Sequence, residues 1–100
     1  MAQKFSEIIQ NNKPVLVDFY ADWCAPCRMM KPILEAVKQK IGEDATIIKV
    51  DVDKNPSAAQ TYKVTGIPTL MIFKNGEVKW RKAGVAQANQ IIQQLNNYKN

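Results

Sequence analysis

Two cysteines separated by two residues carry the clearest chemistry in this sequence. Cys24 and Cys27 lie where a predicted strand, Val15–Tyr20, gives way to a predicted helix. A sulfur near a helix N-terminus faces unpaired backbone N–H groups and the positive end of the helix dipole, and both favour thiolate over thiol. Such settings bring cysteine pKa values to about 3.5–7.5. Because the second sulfur is three residues further on the same helical face, a small disulfide ring can close and reopen.

Three other interpretations of the cysteine pair stay open. A purely structural disulfide across so short a loop would contribute only about 2 kcal/mol, and a reducing cytosol would open it. The pair could also form half of a metal site shared between two chains, or consist of two inert thiols. Redox chemistry is favoured because a Cys-x-x-Cys pair at a strand-to-helix junction within a βαβ pattern is typical of thiol–disulfide exchange.

Composition excludes several other kinds of site. The sequence has no histidine and only two cysteines, which argues against a four-ligand zinc site and removes every mechanism based on a histidine base. Fourteen basic residues against nine acidic ones give a net charge of +5. The basic residues are scattered, with one cluster at 79–82, so we interpret them as solvated surface rather than as a nucleic-acid site.

The length of 100 residues predicts a single domain spanning 1–100. Its longest apolar run, 70–73, is far shorter than the roughly 18 residues of a membrane span, and its first residues lack the apolar stretch of a signal peptide. We therefore expect a cytoplasmic protein that uses no membrane.

The hydrophobic pattern predicts alternating helices and strands. A short helix near Phe5 precedes the strand Val15–Tyr20, and a long helix after the cysteines runs to a stop at Gly42. A strand at 46–52 and a brief helix capped by Asn55 follow. Strands at 69–73 and 77–82 are joined by an Asn-Gly hairpin, and a last helix follows Gly84. This order predicts an α/β fold of three layers, with a central mixed sheet between helices on both faces.

Asp18 stands out because it interrupts an apolar strand. If that strand is buried on both faces, desolvation raises the carboxyl pKa and lets the group exchange protons near neutral pH. Lys49, in the adjacent predicted strand, could reach it. The simpler interpretations, a half-solvated aspartate at a strand end and an exposed lysine, also stay open.

A proline opens the third strand, in Gly66-Ile67-Pro68-Thr69. A proline at the start of a strand has no backbone N–H to donate to the neighbouring strand. The pattern alone favours a trans bond before Pro68, because only about 5–6% of such bonds are cis.

Taken together, these residues resemble the thioredoxin family. The matching stretches are 17–28 (VDFYADWCAPCR), 49–53 (KVDVD), 66–69 (GIPT), 73–76 (FKNG) and Gly84, in order and spacing along nearly the whole chain. The resemblance implies a thioredoxin-like fold. The stretch before the first helix is too short for the family's first edge strand, so we expect four strands, with five as the alternative.

The resemblance also implies roles for individual residues. Cys24 is similar to the family's exposed, attacking nucleophile and Cys27 to its resolving thiol. Asp18 is similar to the buried acid that assists the inner cysteine, with Lys49 near it. Pro68 corresponds to the family's cis-proline, contrary to the expectation from the pattern alone. An apolar substrate groove would be lined by Trp23, Ala25, Pro26, Gly66, Ile67, Ala83 and Gly84.

The implied function is general reduction of protein disulfides by dithiol–disulfide exchange, contributing to cell redox homeostasis. The partners would be disulfide-containing clients and a thioredoxin reductase that delivers electrons from NADPH; the chain itself would be a monomer without a bound cofactor or metal. Ala25 stands where glycine is usual and Tyr20 where tryptophan is usual, and the first departure bears on the redox potential. An exported thiol–disulfide oxidase or isomerase and a non-catalytic partner module remain the alternatives.

Overall fold

The computed structural model describes residues 4–100 and has the predicted order of elements. The helices are α1 (Phe5–Ile8), α2 (Ala25–Ile41), α3 (Pro56–Thr61) and α4 (Ala88–Tyr98), with a single 3-10 turn at Gly42–Asp44. The strands are β1 (Val15–Tyr20), β2 (Thr46–Asp51), β3 (Thr69–Lys74) and β4 (Glu77–Ala83). Within residues 4–100 no helix is long and apolar enough to cross a membrane.

The four strands form one mixed sheet in the order β2-β1-β3-β4. β1 runs parallel to β2, with Val15 opposite Thr46 and Asp18 opposite Lys49. It runs antiparallel to β3, which in turn pairs antiparallel with β4. Among residues 4–100, the count of four strands and the mixed sheet are as predicted. Because α2 connects two parallel neighbours, β1 and β2 end at the same edge of the sheet, and this edge holds the cysteines.

Helices cover both faces of the sheet, which confirms the three-layer prediction. On one face, Leu16, Leu70 and Ile72 pack with buried residues of α2 and α4. On the other face, the odd-numbered residues of β1 pack with α1 and α3. The alternation follows from the two-residue period of a strand. β1 is therefore buried on both sides, and five of its six residues are classed as buried.

Four aromatic rings occupy the α1/α3 side. The Phe5 ring lies 6.0 Å from that of Phe19, 5.6 Å from Tyr62 and 5.7 Å from Phe73, measured between centroids. Tyr62 and Phe73 meet edge to face at 5.0 Å. Offset and edge contacts of this kind stabilise a core beyond the area they bury. Since α1 has only four residues, these contacts hold it in place rather than its own helical hydrogen bonds.

The Asn-Gly hairpin forms as predicted. Asn75 and Gly76 have φ values of +54° and +80°, the left-handed conformation at both central positions that a type I′ turn requires. The turn is also tied to the loop after α1, because the backbone N–H groups of Asn75 and Gly76 donate to the carbonyls of Asn11 (2.9 Å) and Ile9 (3.0 Å).

The C-terminal residues are fastened to the same hairpin. Lys74 Nζ donates to the carbonyl oxygen of Tyr98 at 2.7 Å and to Asn100 Oδ1 at 2.9 Å. The Tyr98 hydroxyl donates to the carbonyl oxygen of Lys79 at 3.1 Å. The end of α4 is thus joined to both strands of the hairpin.

Two helix boundaries illustrate what local sequence determines. Gly42 ends α2 with a φ of +59°, as its position predicts. Asn55 occupies the N-cap of α3, but its side chain does not cap the helix, contrary to the prediction. Its amide instead donates to the carbonyl oxygen of Asp51 at 3.0 Å, which closes the turn between β2 and α3.

Candidate active site

The two cysteines form a disulfide at the first turn of α2. Their Cα atoms are 5.3 Å apart. Cys24 is the N-cap residue in extended conformation, and its Sγ accepts a hydrogen bond from the Cys27 N–H at 3.2 Å. The two residues are only 4% and 5% exposed, so Cys24 in this disulfide form is buried rather than exposed as the resemblance implies. A thiolate at Cys24 is stabilised by a backbone N–H donor that already points at its sulfur.

The electrostatics of the helix terminus act in the same direction. α2 is 17 residues long and has no acidic residue in its first turn. The positive end of its dipole therefore faces Cys24 without a carboxylate in that turn to oppose it. Pro26 lies in the first turn, where backbone N–H groups have no partner within the helix. Its lack of an N–H therefore costs the helix no hydrogen bond. Ala25 and Pro26 are both exposed beside the disulfide.

The loop that opens β3 lies against the disulfide. The carbonyl oxygen of Ile67 is 3.7 Å from Cys24 Sγ. The Ile67–Pro68 peptide bond is cis, so the trans expectation from the pattern is wrong and the resemblance is right. The loop is fixed by hydrogen bonds from Thr69 Oγ1 to the carbonyl of Gly66 (2.6 Å) and from Gly84 N–H to that of Pro68 (2.8 Å). The first of these bonds is local, but the second joins the loop to the end of β4, and the local sequence pattern does not show that contact.

A shallow groove of about 170 Å³ runs beside this loop. Its lining comprises Trp23, Val52, Val64, Thr65, Gly66 and Ile67. Three of the predicted groove residues are therefore in it. Val52, Val64 and Thr65 were missed by sequence reasoning, although Val52 follows β2 directly and the carboxyl ends of parallel strands meet at one edge.

Trp23 is the most exposed large apolar side chain near the disulfide, at 68%. Its indole Nε1 donates to Asp53 Oδ2 at 2.8 Å. Asp53, also missed as a site residue, fixes the orientation of the ring while leaving its face open to solvent. Ala83 and Gly84 lie at the end of β4 and adjoin the site through the bond from Gly84 to Pro68, but they do not line the groove.

Asp18 is fully buried in the centre of the sheet. Within residues 4–100, neither of its carboxylate oxygens has a hydrogen-bond partner. Burial raises its pKa from 3.8 to about 6, and the positive charge of Lys49 opposes part of that rise. Asp18 lies on the α2 face of β1, between Leu16, which packs in the α2/α4 core, and Tyr20, which packs with the cysteines. The carboxyl therefore lies on the same face of β1 as the residue that packs with the cysteines.

Lys49 is opposite Asp18 in the parallel register. The residues are neighbours as predicted, yet within residues 4–100 Lys49 makes no salt bridge. Its ammonium group instead lies 4.4 Å from the centroid of the Tyr20 ring, where it keeps contact with solvent. Lys49 thus acts on Asp18 through its field rather than through a direct ion pair.

Comparison with known proteins agrees with this geometry. The family model described as thioredoxin matches residues 1–97. The chain belongs to the thioredoxin family. It is 43% identical over 91 residues to a thioredoxin of Rickettsia bellii, covering 91% of this chain and 87% of that one. It is 49% identical over 92 residues to a thioredoxin-like protein of Synechocystis sp., covering 91% and 88%.

A solved structure of a point-mutant thioredoxin from Halobacterium salinarum superimposes with a TM-score of 0.87 at 35% identity, covering 99% of this chain and 87% of that one. This thioredoxin-family chain is a thiol–disulfide oxidoreductase that works by dithiol–disulfide exchange through its Cys-x-x-Cys pair. Its redox group is the disulfide itself. Within residues 4–100, no three His, Cys, Asp or Glu side chains cluster so as to hold a metal ion.

Proposed function

We propose that this thioredoxin-family protein is a general reductase of protein disulfides, with Cys24 as the attacking thiol and Cys27 as the resolving thiol. The observation that carries the proposal is the Cys24–Cys27 disulfide at the N-terminus of α2, next to an open groove. In its reduced form the same site presents one thiol at the helix terminus and a second behind it. That is the arrangement required for attack followed by release.

The exchange proceeds in two balanced steps. The Cys24 thiolate attacks one sulfur of a client disulfide, forming a mixed disulfide and expelling the other client sulfur as a thiolate, which takes a proton from solvent. The Cys27 thiolate then attacks Cys24 Sγ, which closes the disulfide within the chain and expels the second client sulfur. Two electrons pass from the pair to the client. The bond from Cys27 N–H to Cys24 Sγ supports this order, because it stabilises charge on the outer sulfur.

The groove supplies a place for the client segment. Trp23 offers an open aromatic face, and Val52 and Val64 add apolar walls. Ile67 lies outside the strands, and among residues 4–100 no group accepts a hydrogen bond from its N–H. An extended client segment can pair with this backbone in the manner of an added strand, which holds its disulfide near Cys24.

Asp18 takes the role of proton acceptor for Cys27. A carboxyl with a pKa of about 6 is mostly ionised at pH 7 and still close enough to a thiol in proton affinity to exchange with it. It has no hydrogen-bond partner among residues 4–100 that would compete for the proton. Asp18 lies on the α2 face of β1, and Cys27 is the cysteine that lies within α2.

After each turnover the chain holds a disulfide and needs two electrons to work again. We assign this step to a thioredoxin reductase that draws on NADPH, and we place the protein in the cytoplasm as a monomer. A reductase and an exported oxidase differ in reduction potential, about −270 mV for thioredoxins against about −120 mV for a strong oxidant. A redox titration of Cys24 and Cys27 against glutathione separates these two roles.

Reduction of insulin disulfides with NADPH and a thioredoxin reductase tests the proposal directly. Cys24→Ser is expected to lose all turnover, whereas Cys27→Ser is expected to accumulate a mixed disulfide with the client. Ser57→Ala, an exposed change on α3, is the control and keeps wild-type turnover. Turnover that survives in Cys24→Ser, or a mixed disulfide formed on Cys27 in that variant, overturns the assigned roles.

Asp18→Asn tests the proton acceptor separately. The variant keeps both cysteines, so attack by Cys24 continues while release of the client slows. The pH profile of single-turnover release is expected to lose its inflection near pH 6. An unchanged profile in Asp18→Asn contradicts the assigned role, even if its absolute rate falls.

A further inference from the structure

Among residues 4–100, no strand pairs with the outer edge of β2. β2 is the end strand of the sheet, and its only strand partner among residues 4–100 is β1. Thr46 N–H donates to the carbonyl of Pro14 at 3.0 Å, and Val52 N–H donates to that of Tyr20 at 2.9 Å. Since backbone groups alternate along a strand, the even-numbered residues face β1. Ile47 and Lys49 therefore direct their N–H and C=O groups away from the sheet.

Only the central part of this edge is open. The outward carbonyl of Asp51 already accepts hydrogen bonds from the backbone N–H of Asn55 at 2.9 Å and from its side-chain amide at 3.0 Å. Ile47 and Lys49 have no such partner among residues 4–100. Two N–H groups and two C=O groups are thus available to a further strand, with a spacing that only an extended backbone matches.

A groove of about 490 Å³ lies directly beside the open edge. It is lined by Lys31, Leu34, Glu35 and Lys38 of α2 and by Ile47 and Lys49 of β2. Leu34 forms an apolar floor, since it is buried. A strand added to β2 would place every second side chain over this groove and the others beside Ile48, which packs on the opposite face.

The charges around the groove select the occupant. Three lysines face one glutamate, and within residues 4–100 none of the three forms a salt bridge. The acidic residues near β2 lie at or beyond its ends, with Glu43 and Asp44 before it, Asp51 as its last residue and Asp53 after it. The centre of the edge is therefore basic and its ends are acidic.

We propose that the outer edge of β2 is a docking site for an extended, acidic peptide segment of a partner protein, which adds a fifth strand to the sheet. Backbone pairing with Ile47 and Lys49 supplies the register. Acidic side chains at the centre of the segment face the three lysines. A second copy of this chain fits less well, because two β2 edges paired with each other bring the same lysines together.

Synthetic peptides test the charge preference. The probe is a fluorescein-labelled Thr-Val-Glu-Val-Glu-Val-Thr peptide, with matched peptides that carry Gln or Lys in place of both Glu residues. Fluorescence anisotropy with the full chain measures the affinity of each peptide. The Glu peptide is expected to bind most tightly, the Gln peptide next and the Lys peptide least, with dissociation constants at least tenfold apart between the Glu and Lys peptides. Equal binding of the three, or no binding of the acidic peptide, overturns the proposal.

Paired variants locate the site. Lys31→Glu removes a lysine of the groove. It is expected to weaken binding of the acidic peptide roughly fivefold, in the range for partly exposed charge pairs. Lys40→Glu changes the same charge on the same helix but outside the groove, and is expected to bind as wild type. The Cys24→Ser/Cys27→Ser double variant also binds as wild type, which separates this site from the redox site. Equal losses in the two lysine variants contradict the assignment.

Backbone pairing has its own readout. Hydrogen exchange of the Ile47 and Lys49 amides is expected to slow on binding of the acidic peptide, while the exchange of Ile48 is unchanged because its N–H already pairs with β1. Ile47→Pro removes an outward donor without removing a β1–β2 bond and is expected to lose binding at least tenfold. Peptide binding that leaves both outward amides unprotected, or sedimentation of the free chain as a dimer that protects them, overturns the docking model.

Discussion

On one face of β1, Val15, Val17 and Phe19 pack against α1 and α3 among aromatic rings. On the other face, Leu16 packs against α2 and α4, and the next two inward residues are Asp18 and Tyr20. The first face is wholly apolar. The second carries a buried carboxyl without a hydrogen-bond partner among residues 4–100 and leads to the disulfide.

The contrast shows how one strand serves two purposes. A buried carboxyl that lacks a partner costs stability, because desolvation penalises its charged form. The apolar face compensates by packing without a comparable defect. The cost is confined to Asp18, the residue that we propose as the proton acceptor for Cys27. Stability and chemistry are thus assigned to opposite sides of the same six residues, and variants can test them separately.

The largest effect is expected from the apolar face. Phe19→Ala removes a fully buried ring that contacts Phe5 and is expected to lower the free energy of unfolding by about 3–5 kcal/mol. Urea denaturation of the oxidised protein measures the change, with Phe19→Leu as the smaller matched substitution. Insulin turnover per folded molecule stays at the wild-type level. A loss below about 1 kcal/mol would show that this face is not the main source of stability.

The next effect is the pH dependence caused by Asp18. Its pKa is 3.8 when unburied and about 6 in the folded chain, so the unfolded state loses its proton first as pH rises. Stability therefore falls between about pH 4 and pH 6, by about 3 kcal/mol from this group. Urea midpoints of Asp18→Asn are expected to lack this fall. The exposed Asp22→Asn variant retains it, and an identical decline in Asp18→Asn would contradict the buried position.

A smaller effect is expected at the joint between α1 and the aromatic cluster. Phe5→Leu keeps an apolar side chain but removes three ring contacts, and is expected to cost about 1–2 kcal/mol. Amide exchange in 5–10 should increase more than exchange in β1, because the short helix depends on that ring. Uniform destabilisation across both segments would show that α1 is held by other contacts.

The smallest effect concerns Lys49. Its positive charge lowers the Asp18 pKa, so Lys49→Met is expected to move that pKa above about 6. The fall in stability that Asp18 causes then continues to a higher pH. Carboxyl carbon chemical shifts of Asp18 followed through a pH titration measure the change. Lys40→Met, on the outer side of α2, serves as the control. A downward shift in Lys49→Met would mean that the lysine affects Asp18 by excluding water rather than by its charge.

Much of this architecture is predictable from sequence because it depends on neighbours along the chain. The limits of β1, the stop at Gly42 and the Asn75-Gly76 turn all follow from local patterns, and the structure has each of them. The cysteine pair is equally local, since its chemistry follows from its spacing and the helix that it begins.

Other features depend on contacts across the fold and could not be read in advance. The bond between Trp23 and Asp53 joins residues 30 apart in sequence, and the groove walls Val64 and Thr65 belong to no regular element. Asn55 has the residue type of a cap, but a nearby carbonyl competes for its amide. Lys49 likewise had two possible partners, Asp18 and the ring of Tyr20. Its ammonium group lies over the ring, where it stays hydrated, whereas a direct pair with the buried Asp18 would remove its water.

The attachment of the C-terminal residues to the hairpin has a practical consequence for immobilising the protein. Lys74 and Lys79 hold Tyr98 and Asn100 at the hairpin end of β3, whereas Pro68 and the disulfide lie at the other end. A six-residue strand spans roughly 20 Å, so the two ends are separated by about that distance. A linker or surface anchor joined after Asn100 would point the disulfide toward solution, whereas one joined to a side chain near Trp23 would block it.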